Sequence, residues 1–468
     1  MRHPEGPAHV IELKGKRVLI VGLGRSGQAA ARVCAEQGAN VTVTDRRGPE
    51  ALAAARATLS PGTVEELGGH REATFLAADL IVLSPGVPEL PEIAAARRAG
   101  VKITGELEVG SWFNQGTIVG ITGTNGKSTT TTLCGAILRA SGSPTFVGGN
   151  LGEPLCEAVG TRAASPGGMS VVEVSSFQLE TVETFHPRVA VLLNITPDHL
   201  DRYDDFEAYA AMKARIFAHQ GPSDFAVLNA DDALVRRSAE GIAAQPVMLS
   251  TSRQLERGGW VEGDALCVRL PGGERERYPL HNPSLVGRHN HENALAALLA
   301  ARLVGATPSE ARRALLEFRA LAHRMELVAD AAGIEYYDDS KGTNVGAVTA
   351  ALSGFPRPVV LIAGGKDKGG DYTPLAEVFA KVGRAVVLIG EAADRIEESF
   401  SKVVAPTQIV RAASLEEAVR KAATLARSGD AVVLSPACSS FDMFRDYAHR
   451  AEVFRGAVKT VVGSGAML

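Results

Sequence analysis

The sequence predicts an α/β protein of three domains, each built on a parallel sheet. A glycine-rich turn, Gly22 to Gly27, links an apolar strand to an alanine-rich helix; a second, Gly123 to Gly126, runs into Lys127 and Ser128; and short apolar runs alternate with helical stretches through the last third of the chain. A length of 468 residues accommodates about three domains of ~150 residues each. Hydrophobic residues make up 45% and charged residues 22%, the balance of an ordinary globular protein. The formal net charge of −4, with no basic stripe carrying interleaved aromatics, argues against a nucleic-acid partner.

Lys16 to Val21 reads as a buried strand, followed by Gly22-Leu-Gly24-Arg25-Ser26-Gly27, a helix reaching Gly38, and a second strand, Asn40 to Thr44, that ends at Asp45. This G-x-G-x-x-G pattern in a βαβ unit with a terminal acid is the pattern of a dinucleotide site. Alone it suggests NAD. Its physical content is close approach to a diphosphate plus an acid for a hydroxyl-bearing ring, and a UDP-sugar supplies both. Asp79 to Leu83 leads into Ser84-Pro85-Gly86, a second strand end on the same crevice. Residues 1–105 form one nucleotide-diphosphate domain on this reading.

The second domain, residues 106–320, opens on a β-branched run, Thr117 to Ile121, and the turn Gly123-Thr124-Asn125-Gly126-Lys127-Ser128-Thr129. Glycines at positive φ bring backbone amides onto an anion, and the helix that begins near Lys127 adds its positive end. Lys127 then suits β- and γ-phosphates, and the Ser128 hydroxyl a divalent metal. The loop is a variant of the G-x-x-x-x-G-K-[ST] pattern, because the first glycine position falls on Ile121. Gly142 stops its helix, and Gly148-Gly149-Asn150 reads as a polar turn. Glu173 lies inside the apolar run Ser170 to Val174, where a carboxylate is costly unless paired or on a metal. The strand Val189 to Leu193 leads into Asn194-Ile-Thr-Pro-Asp198-His199, which places His199 at the same sheet edge as Glu173 and Ser128 and suggests a shared divalent cation.

Lys213, on a helix from Tyr209 to His219, reads by itself as a solvated lysine. Asn290 and Asn293 share a helix face and suit either a base or helix capping. The His289-x-His291 pair lacks further ligands for zinc. Ser250 to Pro283 reads as a hairpin-rich periphery.

From residue 321 to 468 the runs Ile334 to Tyr337, Val359 to Ala363, Ala385 to Ile389 and Ala431 to Leu434 predict a third parallel sheet. Three of its strand ends carry Asp339-Ser340-Lys341-Gly342-Thr343, Gly364-Gly365-Lys366-Asp367-Lys368, and Ser435 to Phe441. Together they make a candidate site for phosphate and carboxylate groups.

No signal-type apolar region occurs in Met1 to Val10, no apolar run is long enough for a bilayer, and the five cysteines are scattered without a C-x-x-C pair, so a cytoplasmic protein is expected.

Taken in order, Gly123-Thr-Asn-Gly-Lys-Ser128, Glu173-Val-Ser-Ser-Phe-Gln178, Asp198-His199-Leu-Asp-Arg-Tyr203, Gly287-Arg-His-Asn-His-Glu-Asn293, Ala322-His-Arg324-Met-Glu326, Asp339-Ser-Lys341 and Ser435-Pro-Ala-Cys-Ser-Ser440 resemble the Mur ligases over nearly the whole chain. The segments 175–180 and 435–442 are similar to the D-glutamate-adding branch, and no Asp-Asn-Pro-Arg segment of the diaminopimelate- or lysine-adding branch occurs.

The resemblance implies a Rossmann-like N-terminal domain holding a UDP-sugar rather than NAD, a central P-loop-type ATPase domain with a parallel sheet, and a Rossmann-like C-terminal domain closing on ATP and the amino acid. It implies an ATP-dependent amide ligase that joins D-glutamate to UDP-N-acetylmuramoyl-L-alanine through an acyl phosphate, with two Mg²⁺ ions and as a monomer. By the same resemblance, Lys127 and Ser128 hold phosphates and metal, within a nucleotide loop that includes Gly123, Thr124, Asn125, Gly126 and Thr129. Glu173 and His199 bind the metals, and Lys213 is a carbamylated metal-bridging lysine. Asn290 and Asn293 contact adenine, and Arg324, Asp339 and Lys341 approach ATP. Thr343, Lys368, Ser440 and Tyr447 lie near the amino acid, and Arg25, Ser26, Asp45, Arg46, Ser84, Gly86 and Asn150 near the UDP-muramoyl group. An NAD-dependent oxidoreductase and a nucleotide-switched binding protein are the competing classes.

Overall fold

A computed structural model describes residues 11–199, 202–285, 287–319, 321–353, 355–405 and 408–463. Leu200 and Asp201 of the histidine motif, like the N-terminal stretch to Val10, lie outside the described residues. The chain divides into two compact units, Met1–Ile195 with Ala210–Phe318, and Thr196–Tyr209 with Arg319–Leu468.

The first unit holds two sheets. In the five-stranded one the order is Val64–Leu67, Asn40–Asp45, Arg17–Val21, Leu80–Leu83, Lys102–Gly105, every pair parallel. Its central strand is apolar from Val18 to Val21 because both faces are covered, as parallel sheets require. The helix Arg25–Glu36 lays Ala29, Ala30, Val33 and Cys34 on one face. Gly27 is what lets it approach, since a Cβ there would stand 1.9 Å from the Gly22 carbonyl oxygen.

In the nine-stranded sheet Thr145–Gly149, Met169–Glu173, Thr117–Thr122, Val189–Leu192, Phe225–Asn229 and Gln245–Ser250 run parallel. Gly258–Glu262, Ala265–Arg269 and Arg275–Pro279 extend it as an antiparallel meander, the hairpin-rich periphery expected from the sequence. One local reading is corrected. Gly148 and Gly149 end a strand rather than form a turn: Cβ atoms at these positions would meet Glu153 O at 2.2 Å and Glu173 O at 2.3 Å, so the glycines permit close backbone approach.

Where the two sheets of this unit meet, Glu106 is 1% exposed; its Oε1 accepts from the Cys156 amide at 2.6 Å and its Oε2 has no hydrogen-bond partner among the described residues. Burial pushes this carboxyl up to about 7, opposed by the Cys156 hydrogen bonds. The unfolded chain releases the proton near 4.5 while the folded one retains it, so stability is lost as pH rises from about 4.5 through about 7. Glu106→Gln keeps an acceptor for Cys156 and removes the charge. It is therefore expected to raise the Tm at pH 8 by a few degrees, on the order of 2–3 kcal/mol at most, with no gain at pH 4.5; thermal melts at the two pH values read the difference.

The second unit has a six-stranded sheet in the order Glu326–Ala331, Ile334–Asp338, Ala431–Leu434, Val359–Gly364, Gly383–Ile389, Ile409–Arg411, with only the first pair antiparallel. Apolar clusters cover both faces, around Phe379 and Phe400 on one side and Val419 and Phe454 on the other. Glu326–Ala331 was not legible as a strand because it is an edge, with Leu327 51% exposed and no continuous apolar run.

Candidate active site

The strands Thr117–Thr122, Met169–Glu173 and Val189–Leu192 are parallel neighbours, so their C-terminal ends deliver the glycine loop, Glu173 and Asn194 to one edge. The loop enters the helix Lys127–Ala140 through Gly126 at φ +85°. A side chain there is excluded twice, by that φ and because a Cβ would stand 2.1 Å from Asn293 Oδ1. The Thr124 amide donates to Asn194 O at 2.9 Å and the Asn125 amide to Asn194 Oδ1 at 2.8 Å. Lys127 Nζ donates to the carbonyls of Gly123 and Thr124 at 2.8 and 2.7 Å, so it curls over the loop as a lysine placed to meet phosphate oxygens does. Ser128 and Thr129, in the first helical turn, are buried.

Glu173 is 3% exposed, takes a 2.7 Å hydrogen bond from Asn150 Nδ2 on Oε1, and buries Oε2 with no donor among the described residues. A carboxylate oxygen left in that condition fits a hard divalent cation, as does the nearby Ser128 hydroxyl by its chemistry. Lys213 is 2% exposed and its Nζ donates to Gly123 O at 2.9 Å, which corrects the solvated-lysine reading. Tyr209 and Ala210 are buried on the same helix, Phe206–Ala214, so it has no simple polar face at this point. Asn293 is buried with Oδ1 3.4 Å from Thr130 Oγ1, and Asn290 lies one turn earlier on the helix Arg288–Leu303.

In the N-terminal sheet, Asp45 caps the Gly22–Gly27 turn rather than standing free. Its Oδ2 accepts from the Leu23 amide at 2.8 Å and both oxygens bind Arg47, and these bonds hold the carboxyl down to about 2 although burial opposes them. Ser84 Oγ donates to Gly22 O at 2.8 Å, on the same turn. Arg25, Arg46 and Gly86 are exposed and Ser26 is half-buried around it. Asn150 donates to Glu173, and Glu153, three residues on, lies 4.0 Å from Arg25 of that turn.

His199 belongs to the second unit with Thr196–Tyr209. It adopts φ +56°, an uncommon left-handed conformation for histidine, and its amide donates to Asp198 Oδ1 at 3.0 Å. The Asp198 carboxylate also meets Lys368 Nζ at 3.3 Å and Asn344 Nδ2 at 3.2 Å. Asp339 is fully enclosed; burial raises its carboxyl to about 6, against the Ser435 hydroxyl bond and the Arg324 charge. The Lys341 amide donates to His323 O at 3.1 Å, tying the Asp339–Lys341 loop to the Arg324 turn, and Lys341 Nζ stands 5.4 Å from the Tyr447 ring centroid. Thr343 is half-buried beyond this turn and Ser440 is buried. His323, Glu326 and Asp338 also converge as a possible cation set, but Arg455 binds both carboxylates and supplies the positive charge.

Three polar residues of these sites were missed by motif reading. Asn194 clasps the phosphate loop, Glu292 lies against Asn194 at 3.3 Å, and Arg450, wholly buried, donates to the carbonyls of Ser340, Cys438 and Ser439. An arginine in the helix Tyr447–Gly463 carries no sequence signal for such burial.

A mononucleotide-type loop on one parallel sheet, a diphosphate-type turn on another and a third sheet with lysine-bearing strand ends are the parts of a nucleotide-dependent ligase. The chain matches the family descriptions "Mur ligase MurD-like, N-terminal domain" over residues 16–105, "Mur ligase middle domain" over 121–301 and "Mur ligase, glutamate ligase domain" over 323–438. The chain belongs to the Mur ligase family of ATP-dependent ligases. It is 49% identical over 457 residues to UDP-N-acetylmuramoylalanine–D-glutamate ligase of Geobacter metallireducens, covering 97% of this chain and 99% of that one. It is 51% identical over 459 residues to the protein of the same name from Anaeromyxobacter dehalogenans, covering 95% and 97%. Among solved structures, the MurF ligase of Thermotoga maritima in complex with ADP shares the fold at TM-score 0.59 and 17% identity, covering 97% of each chain. No helix among the described residues is long and apolar enough to cross a membrane.

Proposed function

We propose that this protein joins D-glutamate to UDP-N-acetylmuramoyl-L-alanine, with ATP activating the alanine carboxylate as an acyl phosphate that the amino group of D-glutamate then attacks. The observation that carries the reading is the Gly123–Thr129 loop with Glu173 at the neighbouring strand end, in a chain about half identical to ligases of that name along almost its whole length. Residues 1–105 hold the UDP-sugar, 106–320 the ATP, and 321–468 the amino acid together with Arg324, Asp339 and Lys341 for the nucleotide. The protein works as a monomer in the cytoplasm.

Both steps gather negative charge, and each assigned residue answers part of that. Backbone amides of the loop and Lys127 hold the phosphate oxygens, and Asn293 packs against Gly126 where only a glycine fits. Ser128, Glu173 and His199, with Lys213 in carbamylated form, would hold the two magnesium ions. When bound, magnesium neutralises charge on the transferring phosphoryl group. Lys368 and Ser440 receive the D-glutamate carboxylates, and Thr343 and Tyr447 line its approach.

A screen of amino acids for phosphate release with UDP-N-acetylmuramoyl-L-alanine and Mg-ATP present tests this. Release is expected with D-glutamate and not with L-glutamate or without the UDP-sugar. Release that ignores both acceptor and amino acid favours a nucleotide switch, and tight NADH binding without ATP turnover favours an oxidoreductase.

A further inference from the structure

We propose that Glu292 is a positioning residue for the phosphate loop, acting through the side-chain amide of Asn194. The proposal rests on the reading of that loop as the ATP site and deepens it.

Asn194 engages the loop at three points. Its carbonyl accepts from Thr124 N, its Oδ1 accepts from Asn125 N at 2.8 Å, and its Nδ2 donates to Asn125 O at 3.2 Å. The last two close a ring between a side-chain amide and the backbone N–H and C=O of one residue, so the orientation of Asn125 follows that of the Asn194 amide. Such a ring is correct in only one of the two amide rotamers. Glu292 selects it: Oε1 accepts from Asn194 Nδ2 at 3.3 Å, and a carboxyl oxygen in that accepting role pairs with the donor end of the amide.

Glu292 lies in the second turn of Arg288–Leu303, one residue before Asn293, which touches the other half of the loop by packing against Gly126. The start of this helix therefore reaches the loop directly through Asn293 and indirectly through Glu292. The carboxyl is kept there against a cost. It is half-buried, with Asp231 and Asp232 close enough to repel it, and burial first and those charges after it push it up to about 7, while the Asn194 hydrogen bond opposes the shift. A costly acid at a ligand loop, whose partners reach the ligand's backbone cradle, is placed for function rather than for stability.

The test measures Mg-ADP affinity by calorimetry on the full chain, with KM for each substrate and Tm beside it. Glu292→Ala is expected to weaken Mg-ADP about tenfold and raise KM for ATP by the same factor. The KM values for D-glutamate and the UDP-sugar should stay within about twofold, and the Tm should be unchanged or higher. Glu292→Gln, which keeps an acceptor, is expected to recover most of the loss. In an Asn194→Ala background the effect of Glu292→Ala should shrink to less than about twofold, since the pathway is already cut. Unchanged Mg-ADP affinity in Glu292→Ala, full additivity with Asn194→Ala, or a loss that tracks a fall in Tm overturns the proposal while leaving the ATP site in place. Absence of Mg-ADP binding by the unsubstituted chain, or binding indifferent to Lys127→Ala, overturns the ATP-site reading and this proposal together.

Discussion

Lys127→Ala abolishes amide formation, with kcat expected to fall by roughly 10³-fold or more, while UDP-N-acetylmuramoyl-L-alanine still binds with its native affinity. The ammonium lies over the loop within 2.8 Å of two of its carbonyls, so its removal takes a cation from the phosphate loop without touching the Gly22–Gly27 turn on the other sheet. The lysine is half-buried rather than part of the core, so the fold is expected to survive. Phosphate release and equilibrium binding of the UDP-sugar, measured on one preparation, read the two halves of the result. Turnover within tenfold of native removes the assigned role.

Glu173→Gln separates function from stability in the opposite sense. Glutamine retains the shape and the acceptor for Asn150 Nδ2 but presents no charge in the place of Oε2, which has no donor among the described residues. The magnesium concentration for half-maximal turnover is expected to rise by about 10–100-fold. In metal-free buffer the Tm should be equal to native or higher, because a buried anion lacking a full set of donors opposes folding. A magnesium requirement unchanged in the variant would make Glu173 a structural partner of Asn150 and nothing more.

Much of this was legible in the residues because the chemistry is local. The two glycine turns, the strand that precedes each, and Glu173 inside an apolar run are each contained in about ten consecutive positions, and parallel pairing then puts strand ends on one edge whatever the remainder does. What escaped depends on packing between distant segments. Lys213 reads as solvated on its own helix and is buried only because that helix lies against the loop at Gly123. Asn194 and Glu292 are 98 positions apart and meet through tertiary contact alone. Gly148 and Gly149 show the ambiguity of glycine itself, since close strand pairing and a turn ask for the same residue. Asp45 reads as an acid for a hydroxyl-bearing ring; the structure adds bonds from the Leu23 amide and Arg47, a capping role that the motif does not distinguish.

In the proposed ligase a nucleotide sits at Gly123–Thr129 with its cation on the carboxylate of the adjacent strand. A crystal structure of the full chain with a non-hydrolysable ATP analogue and magnesium measures this directly. The predicted result is terminal phosphates against the loop amides and Lys127, and a magnesium ion with Ser128 Oγ and Glu173 among its ligands. A nucleotide lodged at the Gly22–Gly27 turn, or a magnesium ion that leaves Glu173 untouched, would contradict it.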